Sequence, residues 1–342
     1  MKALVKSAPG PGHVGIQEVA EPRCPPDRVK LEVAYCGICG TDLHVLSGAF
    51  HSNPPVILGH EFSGVVVETG ADVQGIEPGL RAAGLGATAV TCGVCRFCRS
   101  GDFIFCSQRK GMGHGVDGAF TRYVLLRPDQ VFEIPRGITL EEGAMTEPLA
   151  AAARAVLEIA KAKPGETALV SGPGPMGLLC LKLLLAEGVR TFVAGAPGDG
   201  ERLRAALCCG ALAAAPADEL RACVLEQTAG QGVDLAFECA GHPDSARTCL
   251  DSLRPMGRMT QVAIYGREIP LPMDRIFYKQ LTVSGSICYT AQTWRRVMEL
   301  FAAGRLRLND LVGIKLPLSE WEQGFHLCQS RQMVKVLLYP EK

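Results

Sequence analysis

The chain has 342 residues, of which 47% are hydrophobic, so it can bury a large core, and its length suggests two domains rather than one. Lys and Arg together number 35, as do Asp and Glu, which gives a formal net charge of zero. No run of charge predicts a surface for nucleic acid or anionic membrane, and a small-molecule partner is favoured.

The amino-terminal region enters a strand-like apolar run after one lysine and lacks the apolar core and cleavage site of a signal peptide. The most apolar tract begins at Ala168 and is interrupted by glycines, prolines and Lys182, so it does not predict a membrane span of about 20 apolar residues. We therefore expect a cytoplasmic protein. In that reducing compartment, clustered cysteines favour metal binding over disulfides.

Two short motifs in the first third of the chain combine possible metal donors. CGICGTDLH runs from Cys36 to His44, and GHE occupies Gly59 to Glu61 after a Pro-Pro turn. A cysteine, a histidine and nearby carboxylates would form a mixed site with an exchangeable position, which is how catalytic zinc is held. Taken alone, Cys39 could equally be a core thiol and His60 a structural histidine.

The next motif is TCGVCRFCRSGDFIFC, which has C-x2-C-x2-C-x7-C spacing. Four thiolates surround Zn²⁺ as a closed tetrahedron and leave no position for water or substrate. The alternative, four small buried residues, is disfavoured because glycines, arginines, serine and aspartate make this a polar loop. The motif therefore predicts a structural zinc held by Cys92, Cys95, Cys98 and Cys106.

The middle of the chain predicts a strand around Ala168–Val170, a glycine turn and an apolar helix that ends before Gly188. The turn contains G-x-G-x-x-G at Gly172, Gly174 and Gly177. Glycines at this spacing allow a sharp turn, close approach to a pyrophosphate and tight helix–strand packing. Because a helix follows, its amino terminus is expected to face the phosphates of a dinucleotide.

Alternating strand and helix patterns follow the glycine turn, among them TFVA, ERLRAALCCGA, VDLAFECAG, MTQVAIY and LTVSGS. This alternation predicts a doubly wound parallel sheet. Short strand-like runs broken by Gly and Pro, such as VKLEVAY and AFTRYVLL, instead predict an antiparallel β domain before Glu147. The predicted fold class is therefore α/β, with the boundary near the helix AAAARAVLEIA.

CGICGTDLH, ILGHEFSGVVVETG, the four-cysteine loop, TEPLA, GPGPMG and ECAGHP occur in an order that resembles the zinc-containing medium-chain dehydrogenases. The similarity covers nearly the whole chain and is greatest to the sorbitol (polyol) and L-threonine dehydrogenase branch. It implies a GroES-like catalytic domain at 1–148, a Rossmann coenzyme domain at 149–288 and a carboxy-terminal segment at 289–342 that returns to the catalytic domain. It also implies a homo-oligomer, either a dimer or a tetramer.

The resemblance implies two zinc ions with separate roles. Cys39, His60 and Glu61 match catalytic zinc ligands, and Glu147 in TEPLA matches a glutamate that binds either the metal or its water. Thr41 and His44 match the hydroxyl and the histidine of a proton relay, although alone they could simply begin a helix. The implied reaction is hydride transfer between a secondary alcohol and a nicotinamide coenzyme.

The coenzyme expectation rests on two segments. The resemblance implies that the turn GPGPMG, with Pro175 and Met176 between its glycines, contacts the coenzyme. The ribose-binding acid expected about 20 residues later is replaced by Gly195 or Ala196. Asp199 could supply the carboxylate that favours NAD, whereas Arg202 could attract the 2′-phosphate of NADP, so NAD is preferred and NADP is possible.

Three other functions are weighed against a polyol dehydrogenase. L-threonine 3-dehydrogenases share the CGTD, GHE and TEPL motifs. A non-catalytic dinucleotide-binding or sensor protein would be expected to lose its catalytic ligands first, yet the cysteine, histidine and carboxylate are all present. Quinone reductases of the same fold lack both sets of zinc ligands.

Overall fold

The computed structural model describes residues 1–341. The strands are β1 (Lys2–Lys6), β2 (Val14–Glu18), β3 (Val29–Gly37), β4 (Val56–Ile57), β5 (Glu61–Thr69), β6 (Arg81–Gly84), β7 (Tyr123–Leu126), β8 (Val131–Glu133), β9 (Thr167–Ser171), β10 (Arg190–Gly195), β11 (Ala213–Pro216), β12 (Val233–Glu238), β13 (Leu253–Gln261), β14 (Thr282–Gly285), β15 (Ile314–Pro317) and β16 (Val336–Tyr339). The α-helices are α1 (Gly40–Ser47), α2 (Arg96–Ser100), α3 (Leu140–Ala144), α4 (Thr146–Ala153), α5 (Pro175–Ala186), α6 (Gly200–Cys208), α7 (Ala217–Gln227), α8 (Pro243–Ser252), α9 (Met273–Tyr278), α10 (Ala291–Ala302) and α11 (Trp321–Gln329).

The chain forms two compact units. Unit 1 comprises Met1–Glu147 and the segment that begins at Thr290, and unit 2 comprises Pro148–Tyr289. The carboxy-terminal segment therefore belongs to the same unit as the amino-terminal half. The predicted domain limits at 148 and 288 remain a prediction.

Unit 1 contains a three-stranded antiparallel sheet, β2-β1-β4, and a larger, mostly antiparallel sheet in the order β15-β16-β3-β5-β6-β8, to which β7 adds by pairing with β3. In the larger sheet, Gly37 at the end of β3 pairs with Glu61 at the start of β5. Cys39 lies two residues after β3, and His60 directly precedes β5. The antiparallel pairing thus brings the two short donor motifs to one end of the sheet.

Unit 2 is a six-stranded parallel sheet in the order β11-β10-β9-β12-β13-β14, with helices between successive strands. Its central strands β9 and β12 pair from Leu235 with Ala168 to Glu238 with Ser171, so their carboxyl ends lie side by side. Helix α5, which follows β9, is apolar around most of its circumference, as expected of a helix that is largely buried. The predicted α/β fold class is confirmed.

One strand differs in position from the sequence expectation. The pattern MTQVAIY predicts a strand that reaches Tyr265, but β13 ends at Gln261 and begins at Leu253. The residues after β13 turn back instead, because the N–H groups of Val262 and Ala263 donate to the carbonyl oxygen of Glu238. Among residues 1–341, no helix is both long and apolar enough to cross a membrane.

Candidate functional site

The candidate metal centre of unit 1 contains Cys39, His60 and Glu61. One donor atom from each of these side chains lies within 4.8 Å of the other two. Glu61 is 2% exposed, whereas Cys39 and His60 are half-buried. A thiolate, an imidazole and a carboxylate at this separation form a donor set that suits zinc and leaves a position open for a further ligand.

Asp42 supports this centre from helix α1, and the sequence motifs had not singled it out. Its Oδ2 atom accepts a 2.9 Å hydrogen bond from the Cys39 N–H, and its Oδ1 atom lies 3.7 Å from Nδ1 of His60. The carboxylate is almost fully buried and contacts the segments that carry two candidate ligands. Its position three residues after Cys39, typical of a capping box, was the available signal.

The electrostatics of the centre favour a positive charge. Burial lowers the pKa of His60, but the charges of Cys39 and Asp42 outweigh it and hold that pKa well above its usual range. Nδ1 of His60 and Oδ1 of Asp42 are both buried without a hydrogen-bond partner. Negative donors therefore gather where a cation would be stabilised, which fits a metal ion at this place.

Lys335 lies beside the same centre and is a second residue that the sequence analysis missed. Its side chain is 2% exposed, its ammonium forms an ion pair with Oε2 of Glu61, and it donates a 3.0 Å hydrogen bond to the carbonyl oxygen of Ile38. Burial lowers the pKa of Lys335, but the charges of Glu61 and Cys39 prevail and raise it. No local motif marks this lysine, since Glu61 is 274 positions away.

The other three expected catalytic side chains, those of Thr41, His44 and Glu147, are not among the clustered donors. Oγ1 of Thr41 lies 3.7 Å from Sγ of Cys39. His44 is exposed and stands three positions after Thr41, on the same face of α1. Glu147 is not one of the three clustered donors, although its negative charge helps to raise the pKa of His60.

The four cysteines of the polar loop form a second cluster, and one Sγ atom from each lies within 4.8 Å of the others. Backbone N–H groups of Val94 and Cys95 stabilise the thiolate of Cys92 and lower its pKa to about 6, whereas burial raises the pKa of Cys98 to about 11. Sγ of Cys92 accepts from the Cys95 N–H at 3.3 Å, and Sγ of Cys106 accepts from the Cys92 N–H at 3.4 Å. Sulfur ligands in a tetrahedral zinc site are held in this way.

The glycine turn of unit 2 lies between β9 and α5, as the sequence predicts. Gly172 has a φ of +105°, and a Cβ there would stand 2.8 Å from the backbone nitrogen of Ala240. A Cβ on Gly177 would overlap the carbonyl oxygen of Gly172. Gly174, the residue before Pro175 at the start of α5, has no such neighbour, so the backbone is open there to a phosphate.

Asp199 lies next to the end of β10, and Arg202 lies next to the glycine turn. Oδ2 of Asp199 accepts a 2.9 Å hydrogen bond from the Ala196 N–H, and its Cβ would stand 3.2 Å from a Cβ added to Gly195 at the end of β10. Nη1 of Arg202 would lie 4.0 Å from a Cβ added to Gly174. A carboxylate beside the strand end and a guanidinium beside the turn are thus both present in unit 2.

Comparison with known proteins identifies the family. Residues 25–136 match the alcohol dehydrogenase GroES-like domain, and residues 175–303 match the zinc-binding dehydrogenase domain. The chain is 36% identical to a sorbitol dehydrogenase of Halalkalibacterium halodurans, over 99% of both chains. It is 32% identical to a D-arabitol-phosphate dehydrogenase of Enterococcus avium, over 99% of this chain and 97% of the relative.

A solved structure is similar over the same length. The putative zinc-binding dehydrogenase of Sinorhizobium meliloti, bound to NADP, superimposes with a TM-score of 0.89 at 30% identity and covers 99% of both chains. Both domain types, the full-length similarity and the clustered metal donors agree. The chain therefore belongs to the zinc-containing medium-chain dehydrogenase/reductase family, in its polyol and threonine dehydrogenase branch, and is a zinc- and NAD(P)-dependent alcohol oxidoreductase.

Proposed function

We propose that the protein oxidises a secondary alcohol of the polyol class at the centre formed by Cys39, His60 and Glu61. The observation that carries this proposal is the clustering of the three donor atoms within 4.8 Å, with the Thr41 hydroxyl 3.7 Å from the Cys39 sulfur. Zinc, when bound there, supplies a Lewis acid that lowers the pKa of an alcohol hydroxyl. Glu147, whose charge helps to raise the pKa of His60, is assigned to bind either the metal or its water.

Proton removal is assigned to helix α1. The Thr41 hydroxyl accepts the hydrogen bond of the substrate hydroxyl and passes the proton to the exposed His44, which exchanges it with solvent. The substrate carbon loses a hydride to the oxidised coenzyme, so the products are a ketone, the reduced coenzyme and one proton. Ketone reduction uses the same groups in reverse.

The polyol class is supported by the sorbitol and D-arabitol-phosphate dehydrogenases among the relatives. L-threonine remains the second candidate, because a threonine 3-dehydrogenase of Pyrococcus horikoshii is 31% identical over 98% of both chains. The test is a screen of polyols, polyol phosphates, diols and L-threonine with each coenzyme, followed by absorbance of the reduced nicotinamide. Activity on none of these alcohols would contradict the proposal.

A matched pair of cysteine variants tests the site itself. Cys39→Ser should abolish turnover and lower the bound zinc by one equivalent, because a hydroxyl is a far weaker zinc ligand than a thiolate. Cys208→Ser is the control, since Cys208 is an exposed thiol at the end of α6. Full activity of Cys39→Ser would show that the metal lies elsewhere.

The second zinc ion is assigned to the loop of Cys92, Cys95, Cys98 and Cys106. Its role is structural, because four thiolates leave no position for substrate. Cys95→Ser should lower both the zinc content and the thermal stability, since metal binding at such a site contributes to folding free energy. We accordingly assign 1–148 as the catalytic domain with this loop, 149–288 as the coenzyme domain and 289–342 as the returning segment.

NAD is proposed as the preferred coenzyme. The support is the carboxylate of Asp199 beside the end of β10, where it opposes a 2′-phosphate. Arg202, beside the turn at Gly174, is the residue that would bind that phosphate if NADP were preferred. Asp199→Ala should raise the KM for NAD and relax discrimination against NADP. A wild-type kcat/KM higher for NADP than for NAD would reverse the assignment.

We also propose a homodimer formed through the edge of the parallel sheet. β14 pairs with β13 on one side and, within residues 1–341, with no strand on the other. The segment Gln280–Tyr289 has no charge or proline, the usual protection of an open edge, and Val283 and Ile287 are 42% and 50% exposed. A second copy that pairs antiparallel about a twofold axis would cover this edge without opposing like charges.

Sedimentation velocity tests the dimer. Val283→Glu should shift the protein towards monomer, because it places two carboxylates near the axis. Leu225→Glu is the control, as Leu225 is a similarly exposed apolar residue on α7. An unchanged dimer with Val283→Glu, or a wild-type monomer, would contradict the interface.

A cytoplasmic location is proposed as well, because both donor clusters need cysteines kept reduced, and all 15 cysteines of the chain are free of disulfides.

A further inference from the structure

Lys335 is a buried lysine at the candidate catalytic centre. It precedes β16 in the carboxy-terminal segment, and its ammonium is bonded to Oε2 of Glu61 and to the carbonyl oxygen of Ile38. Ile38 directly precedes Cys39, and Glu61 directly follows His60. One ammonium therefore links the two chain segments that carry the candidate metal ligands.

This burial is costly unless the pair has a defined geometry. Removing a charged amine or carboxylate from water is unfavourable, and breaking a buried pair by deleting one partner is strongly destabilising. The surroundings leave little space: a Cβ on Gly37 would stand 2.5 Å from Oε2 of Glu61 and 2.7 Å from Cε of Lys335. The ammonium and the carboxylate are thus held against each other by close packing and not only by attraction.

The ammonium of Lys335 makes the two carboxylate oxygens of Glu61 unequal. Oε2 of Glu61 is bonded to Lys335, whereas a carboxylate ligand can bind a metal through one oxygen or through both. An oxygen that already accepts from an ammonium is a weaker metal ligand, so the other oxygen of Glu61 is the one favoured for a metal ion. The charge also matters, because the thiolate of Cys39 and the carboxylate of Glu61 together bring two negative charges to the centre, and Lys335 offsets one of them.

We infer that Lys335 is a positioning residue that restricts Glu61 to a single-oxygen contact with the metal and thereby keeps one coordination position open for the substrate. The inference rests on the proposed catalytic site. Without Lys335, both oxygens of Glu61 become available, so the metal takes five ligands when water or alcohol is also bound, and the alcohol binds less firmly at the crowded position. Lys335 itself touches neither the substrate nor the coenzyme in this role.

The test uses Lys335→Met in protein whose catalytic zinc has been replaced by Co²⁺. Visible d–d absorption reports the coordination number, because five-coordinate cobalt absorbs more weakly than tetrahedral cobalt. The expected result is weaker absorption than in the wild type and a kcat about 10- to 100-fold lower, the usual effect of removing a group that orients a metal ligand. The KM for the coenzyme should change less than the kcat, and Lys335→Arg should restore part of both signals.

Lys30→Met is the matched control. Lys30 is a 7% exposed lysine of the same unit that forms a 2.5 Å ion pair with Glu21 and does not contact the centre. Its removal also breaks a partly buried ion pair, so it should cost stability but leave the cobalt spectrum and the kcat unchanged. If both lysine variants changed the spectrum equally, the effect would be one of general stability and the inference would be wrong.

A double-mutant cycle separates the role of Glu61 from other effects. In a Glu61→Gln background, Lys335→Met should no longer change the spectrum, because the group through which it acts has been replaced. A wild-type spectrum and kcat in Lys335→Met, or an equal change with and without Glu61, would overturn the inference. Should Lys335→Met not fold, Lys335→Gln carries the same test, since it retains a donor for the Ile38 carbonyl. A wild-type enzyme that oxidises no alcohol would contradict the proposed function, whereas the cobalt spectra would still report on Lys335.

Discussion

At the residue scale, two glycines have opposite surroundings. Gly174 has open space where a side chain would stand, which suits a ligand that approaches the backbone. Gly37 has no space, because its missing side chain is replaced by the Glu61 carboxylate and the Lys335 stem. A glycine in a sequence therefore indicates a close approach, but only the structure tells whether the approaching group is a ligand or another side chain.

Gly37→Ala should lower the free energy of unfolding by about 1–3 kcal/mol, the usual cost of overpacking. The added methyl group would push the Glu61 carboxylate away from Lys335 or force the ends of β3 and β5 apart. Urea unfolding of the wild type and the variant measures the difference. Gly15→Ala in β2 is the control, because nothing lies within 4 Å of its added Cβ. An equal effect of the two substitutions would mean that the contact at Gly37 relaxes without cost.

Thr41 allows a sharper test of catalysis than any metal ligand, because its removal leaves the donor set intact. Thr41→Ala should lower the kcat by about 100-fold or more, as expected when a proton-transfer group is lost. Thr41→Ser keeps the hydroxyl and should retain most activity. The KM for the coenzyme should be similar in all three proteins. Steady-state kinetics across pH make the comparison, and an active Thr41→Ala enzyme would exclude the relay.

The candidate metal donors that cluster in unit 1 could be singled out from the sequence, whereas the residues that support them could not. Cys39, His60 and Glu61 lie in short motifs whose residue types suggest zinc chemistry even before the strands are placed. Lys335 reaches Glu61 only because β16 pairs with β3, where Leu338 lies opposite Cys36. A strand pairing between residues about 300 positions apart leaves no local pattern, so a lone lysine near the end of the chain gave no signal.

At the scale of elements, local patterns predicted some parts better than others. The segment from β9 to α5 was predicted because its strand, glycine turn and helix are consecutive in the sequence. Helix α10 was not, although the Thr290–Thr293 capping box marks its start and Trp294 and Phe301 face the core. Strand β13 was displaced in the prediction because its first half, LRPMGR, contains the proline and glycine that normally indicate a turn.

An ion pair between a buried carboxylate and a half-exposed arginine attaches the carboxy-terminal segment to the rest of unit 1. Glu142 of α3 is fully buried, and its oxygens accept hydrogen bonds of 2.9 and 3.1 Å from Arg307 and of 2.9 Å from the Leu308 N–H. Burial raises the pKa of Glu142, but Arg307 and these N–H groups prevail and hold it below its usual value. The carboxylate form is therefore the one that stabilises the fold.

Because the folded-state pKa of Glu142 is lowered, its contribution is present above the unfolded-state pKa of about 4.3 and is lost as pH falls through the lower folded value. Glu142→Gln should lower the free energy of unfolding by about 1–3 kcal/mol at pH 7, and this difference should narrow as the pH falls below about 4. Urea unfolding at several pH values measures it. Glu141→Gln, which removes a more exposed pair with Lys315, is the control and should cost less. A difference that does not vary with pH would mean that packing, not charge, is lost.

At the scale of the whole molecule, the alternation of strands and helices after Glu147 was sufficient to predict a doubly wound sheet. The strand-like runs broken by glycine before Glu147 were sufficient to predict an antiparallel domain. Neither pattern assigns a function, because both architectures serve many proteins. The function follows from two metal-donor clusters on one scaffold, which differ in composition. One has three protein donors of three chemical kinds, and the other has four thiols.

This difference predicts that the two metals leave in order when the enzyme is treated with a small chelator. The centre of Cys39, His60 and Glu61 keeps an exchangeable position at which a chelator can begin to displace the protein ligands, whereas four thiolates close the other site. The first equivalent of zinc released should therefore abolish activity and change the melting temperature little. Release of the second should need a thiol-reactive reagent and should lower the melting temperature by several degrees, because that metal contributes to folding.

Metal analysis, activity measurements and thermal unfolding on the same samples make the comparison. Activity that survives loss of the first equivalent, or a melting temperature that falls in proportion to it, would mean that the two roles have been assigned to the wrong clusters.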